Sequence, residues 1–128
     1  MVKDIPPLVK HEDSEVLEAP ISEEEIKKAI WSLHPDKAPG PDSFTIHFYR
    51  MCWHFLKKDL VRLISWLSKG RMGGETNSTF LDLIPKEPNP IAIKRFRPIS
   101  LGNASYNIFS KFLSLRLKPI IPSLIYPN

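Results

Sequence analysis

The chain has 128 residues, of which 42% are hydrophobic, so it fits one domain at most and supports a modest core. Its formal charge of +4 hides a segregation: residues 1–35 carry eight acids against four bases. From Pro88 to Asn128 there is no acid, and Lys94, Arg95, Arg97, Lys111, Arg116 and Lys118 are all positive. Cys52 is the only cysteine, which excludes an intrachain disulfide and a Cys-rich zinc site and fits a reducing, intracellular setting, nucleus or cytoplasm undecided. The opening residues contain no apolar signal region, and the stretch IIPSLIYP is short and broken by prolines, so no membrane partner is expected.

In chain order, residues 1–20 read as a lead-in or linker. Ser22 and Glu25 form a capping box, with Ile21 placed to staple onto Ile26, and a helix is predicted from there. Ile26, Ala29, Ile30 and Leu33 share one apolar stripe, and His34-Pro35 ends the helix. The loop PDKAPGPDSF is made stiff by three prolines. No proline falls between Asp42 and Ile84, and a helical pattern runs through Phe48, Cys52, Leu56, Leu60, Ile64 and Leu67 to a stop near Gly70, with Asp59 a possible restart.

Thr79 to Pro85 and Phe96 to Leu101 are short and β-compatible, and the Pro-rich segment between them suits an antiparallel hairpin. A last helix carries Ile108, Phe112 and Leu115, flanked by Phe109 and Leu113, and stops at Pro119. The fold class is therefore α+β, mainly helical. Trp31, Trp53, Trp66 and Tyr49 recur at helical spacing among aliphatic residues, which favours core packing over base stacking. His47, Cys52 and His54 lack a fourth ligand and match no familiar metal site.

Three phrases occur in fixed order: HPDKAPGPDSF at 34–44, LIPKEPNP at 83–90 and FRPISLGNASYNIFSKFLSLRL at 96–117. Together they resemble the first blocks of the reverse transcriptase domain of plant LINE-type non-LTR retrotransposons, from about Glu18 onward. The resemblance implies that residues 21–128 are the fingers and upper-palm part of a right-hand polymerase domain. It departs from the family at Ser43, where glycine is usual, and at Asn107, where lysine is usual. The family pattern also continues beyond Asn128 into a Gln-containing segment.

In that family the hairpin grips the incoming nucleotide, which assigns Lys86 and Arg97 to a phosphate clamp. A lysine point charge beside a guanidinium fork suits the β/γ and α phosphates of a nucleoside triphosphate. The plainer alternative leaves Lys86 in solvent and pairs Arg97 with a carboxylate such as Glu87. Lys37, Lys94 and Arg95 are candidates for contacts to a nucleic-acid backbone, with ordinary solvation as the alternative. RNA or DNA and a nucleoside triphosphate are thus the partners the resemblance implies.

Nucleotidyl transfer needs carboxylates that hold magnesium, and the full-length family supplies them from the palm. This sequence has no adjacent Asp pair, and its last acid is Glu87. No catalytic residue, metal ligand or cofactor is therefore assigned, and these residues alone are expected to be inactive as a polymerase. A small basic nucleic-acid-binding module descended from such an element is the second reading.

Overall fold

The computed structural model describes residues 9–70 and 79–125. A helix begins where Ser22 and Glu25 predict it: α2, Glu23–Ser32, is capped by the Ser22 hydroxyl, which accepts the Glu25 amide at 3.3 Å. Ile26, Ala29 and Ile30 lie wholly inside, and Ile21 packs against the same core. At the far end, Arg50 Nη2 donates to the Trp31 and Leu33 carbonyls at 3.1 and 2.8 Å. A cation satisfying the last carbonyls also complements the helix dipole there.

The next helical stretch is interrupted. It forms α3, Ile46–Met51, and α4, Trp53–Ser68, and the break falls at Cys52 rather than at Asp59. Cys52 leaves helical geometry at φ −95° and ψ 13°, and its amide is shared between the Arg50 and Phe48 carbonyls. The offset turns Trp53 inward, where its ring meets that of Trp31 edge to face at 6.1 Å. Gly70 supplies the left-handed residue, φ 76°, that ends α4.

Strands β1, Thr79–Pro85, and β2, Phe96–Gly102, pair antiparallel from Thr79 opposite Gly102 to Pro85 opposite Phe96. Helix α5, Ala104–Leu117, follows directly and ends before Pro119, and a short α6 spans Ile121–Ile125. The described residues are mainly helical with one two-stranded sheet, compatible with the α+β class.

The core is helical. Helix α2 sits centrally against α5, α4 and α3, bringing its isoleucines onto Ile46, Tyr49, Trp53, Leu60, Ile64, Ile108 and Phe112. Each such side chain contributes about 1.5–3 kcal/mol by leaving water. Of the aromatics predicted inside, Trp53 and Tyr49 are buried, whereas Trp31 and Trp66 stay 43% and 42% exposed. Trp31 is instead a surface plate, with Lys27 and Arg50 over its ring at 5.4 and 5.6 Å.

Residues 1–20, read as a lead-in or linker, contain a helix in their described part. His11–Glu18 form a helix, α1, that lies against α5. Its own apolar content is slight and it buries no residue. What fastens it is Arg116 of α5, which donates to the Leu17, Ala19 and Pro20 carbonyls at 3.0, 2.8 and 3.2 Å.

Candidate functional site

The register decides which hairpin residues share a face. Ile84 stands opposite Arg97, and side chains alternate along a strand. One position further, the Lys86 amide donates to the Arg95 carbonyl at 2.9 Å, which carries the pairing past the strand ends. Lys86 thus stands across from Arg95, just beyond the end of β1 and two residues along the hairpin from the Ile84–Arg97 pair. Lys86 and Arg97 are both exposed.

The other tip residues divide by partner. Arg95 is tied to Glu87, its Nη1 reaching both carboxylate oxygens at 2.6 and 2.7 Å. Glu87 thus serves Arg95, not Arg97 as the sequence alternative had it. The Lys86 ammonium donates to the Lys94 carbonyl at 3.2 Å, using one of its three hydrogens. Lys86, Glu87, Lys94 and Arg95 border an open hollow of about 280 Å³.

Lys37 is not part of this group. It borders a shallow depression with Pro39, Thr45, Gly102 and Asn107, at the root of the hairpin. The five residue steps from Arg97 to Gly102 span about 17 Å of strand. The site residues thus fall into a tip set and a root set.

At the root, the first and third sequence phrases interlock. Gly40 is buried against the backbone of Gly102 and Asn103, where an added Cβ would lie 2.6 Å from the Asn103 nitrogen. Asn103 occupies the capping position of α5 but makes no side-chain cap bond there. Its Oδ1 instead accepts the Asp42 amide at 3.0 Å, across 61 residues. Asp42 in turn accepts the Phe44 amide at 3.1 Å, and the Ser43 amide closes a turn onto the Gly40 carbonyl at 3.0 Å.

Beneath this latch, Tyr49 and Ser105 are joined by their side chains. Burial, and secondarily the Asp42 charge, pushes the Tyr49 phenol above its usual range, so it remains a neutral hydrogen-bonding group. The roles of Gly40 and Asn103 were missed from sequence. The signal for Gly40 was its place between two prolines, where the chain has no other reason to be small.

Arg116, counted in the basic tail, is unavailable to a polyanion. Its Nε and Nη2 donate to Glu25 at 2.8 and 2.9 Å, and its guanidinium lies 4.6 Å over the Phe112 ring. That bond, more than any other effect, holds the Glu25 carboxyl below its ordinary pKa.

With the geometry in view, likeness to a known protein adds a separate line of support. Over 123 residues, 95% of this chain, the sequence is 34% identical to the "Transposon TX1 uncharacterized 149 kDa protein" of Xenopus laevis. The matched stretch spans 9% of that protein's length. No family model matches. The likeness supports a transposon-derived protein, and it extends across both interlocked phrases and the hairpin between them.

Proposed function

We propose that these residues are the fingers-side part of a reverse transcriptase from a LINE-type element, of the plant kind that the three phrases resemble. In this reading the hairpin holds the triphosphate of an incoming nucleotide. The Lys86 ammonium meets the β/γ phosphates and the Arg97 fork meets the α phosphate, each as a charge-assisted contact. The observation that supports the reading most is the antiparallel hairpin, with Arg97 paired in β2 and Lys86 directly after the end of β1. The transposon likeness supports it independently.

Magnesium would be supplied with carboxylates from the palm of the full-length enzyme, and the sequence here contains no adjacent aspartates. The chain's own contribution is to bind and orient phosphate, not to activate the attacking hydroxyl. The 128-residue polypeptide should bind a fluorescent nucleoside triphosphate weakly and give no extension of a primed template in Mg²⁺. Lys86→Ala and Arg97→Ala should each weaken that binding about 10-fold or more. Template-dependent synthesis, or triphosphate affinity untouched by both substitutions, would contradict the assignment.

A further inference from the structure

Helix α4 has two unlike faces. Trp53, Leu60, Ile64 and Leu67 are buried in the core. On the opposite side, Phe55, Asp59, Arg62 and Trp66 fall within an arc of roughly 60° by the helical repeat, along about 16 Å of helix. Phe55 and Trp66 are 87% and 42% exposed, and the Arg62 and Asp59 side chains between them 82% and 73%. One exposed aromatic is ordinary on a protein surface. Two on a single stripe, one toward each end with opposite charges in the middle, form a patterned seam. Arg62 and Asp59 hold each other only loosely, at 3.9 Å, so exchanging that contact for another loses little.

We infer that this face of α4 is a docking surface for a second copy of the chain, laid antiparallel about a twofold axis midway between Asp59 and Arg62. The order of the four residues selects that occupant. Such an axis sets each residue level with the one equally far beyond the midpoint on its neighbour. Phe55 then meets the second copy's Trp66, and Asp59 meets the second copy's Arg62, twice over by symmetry. A parallel alignment would instead oppose Asp59 to Asp59 and Arg62 to Arg62, which like-charge repulsion rejects.

The spacing of four, three and four residues along the stripe is that of a two-helix seam, with a charged middle layer that fixes orientation and weakens affinity. Four aromatic side chains bury at most about 1,000 Å² between them. That falls below the roughly 1,200 Å² of a standard interface, so the dimer is weak, with a dissociation constant on the order of 100 μM. The pairing involves neither triphosphate nor nucleic acid, so it stands or falls separately from the polymerase reading.

The test is sedimentation equilibrium of the whole 128-residue chain from about 10 μM to about 1 mM, where the mass should rise from one chain toward two. Phe55→Ser should raise the dissociation constant about 10-fold or more. Asp59→Arg leaves only cations at the middle of the seam and Arg62→Asp only anions, so each alone should remain monomeric. An equimolar mixture of those two variants should pair, and the double variant Asp59→Arg, Arg62→Asp should pair with itself. These positions are exposed, circular dichroism verifies folding, and recovery in the mixture separates lost complementarity from a damaged fold. A monomer at every concentration, association that Phe55→Ser leaves unchanged, or growth beyond two chains would each overturn the inference. So would single charge reversals that associate as well as wild type, or a mixture that fails to pair.

Discussion

One guanidinium, that of Arg116, ties together segments more than 90 residues apart: the Glu25 carboxylate and the three carbonyls at the end of α1. Its side chain is only 9% exposed, so its removal leaves those acceptors to be rehydrated at the surface of α5. Arg116→Ala should cost about 2 kcal/mol, measured by urea denaturation, and should release the α1 segment to early proteolysis. The Glu25 pKa is lowered in the folded state, chiefly by the Arg116 hydrogen bond. The stability it contributes is therefore present above the unfolded-state value of about 4.5 and is lost as pH falls through the lowered folded value. Denaturation midpoints from pH 6 down to pH 3 should fall less steeply for Glu25→Gln than for wild type. Parallel curves would show that the pair makes no such contribution.

Ser43 belongs to the same scale. Its φ of 63° lies where glycine is favoured, which gives a physical reason for the glycine usual in the family it resembles. Ser43→Gly should stabilise the chain by about 0.5 kcal/mol, a relieved left-handed strain partly offset by the greater freedom of glycine in the unfolded state. A lower melting temperature for the variant would contradict that account.

The described side chains of the hairpin do little to fix its placement. Leu83 and Ile84, on opposite faces, are both exposed, and an isolated two-stranded sheet is marginal in water. Its fixed point is the root, where Gly40 meets Gly102 and Asn103 accepts from Asp42. Gly40→Ala forces a Cβ into backbone and should cost about 3 kcal/mol or more by denaturation. Asn103→Ala leaves the Asp42 amide without its partner and should cost about 1–2 kcal/mol, with faster hydrogen exchange in the 40–44 loop. An unchanged exchange pattern would mean that the loop and hairpin are set independently.

The strands, the start of α2 and the stop at Gly70 were readable because each depends on neighbours in sequence: a cap, a glycine, a short β-branched run. The break at Cys52 was not, because the apolar pattern runs straight through it and only the pairing of Trp53 with Trp31 marks the change. Helix α1 was invisible for a similar reason, since its support comes from Arg116 and not from an apolar stripe.

For the whole molecule, the split of charge between an acidic front and a basic rear is partly internal pairing. Arg116 is spent on Glu25 and Arg95 on Glu87, which removes two cations from the apparent polyanion surface. Of the other rear cations, Lys94 and Arg97 lie on the hairpin, Lys111 on α5 and Lys118 at its end. Sequence alone supplied the cations but not their sorting into tip and root, because that sorting depends on strand register and on which acids are already engaged. The same sorting explains why the formal charge of +4 is a poor guide to where a nucleic acid would bind.

The proposed clamp on the hairpin is most directly tested by NMR titration of the 128-residue chain with a nucleoside triphosphate, following the Lys86 and Arg97 side-chain resonances. Both should shift together and saturate with one dissociation constant, and a nucleoside without phosphates should move neither. Separate saturation of the two, or shifts confined to Lys37 and the root, would contradict a shared phosphate site.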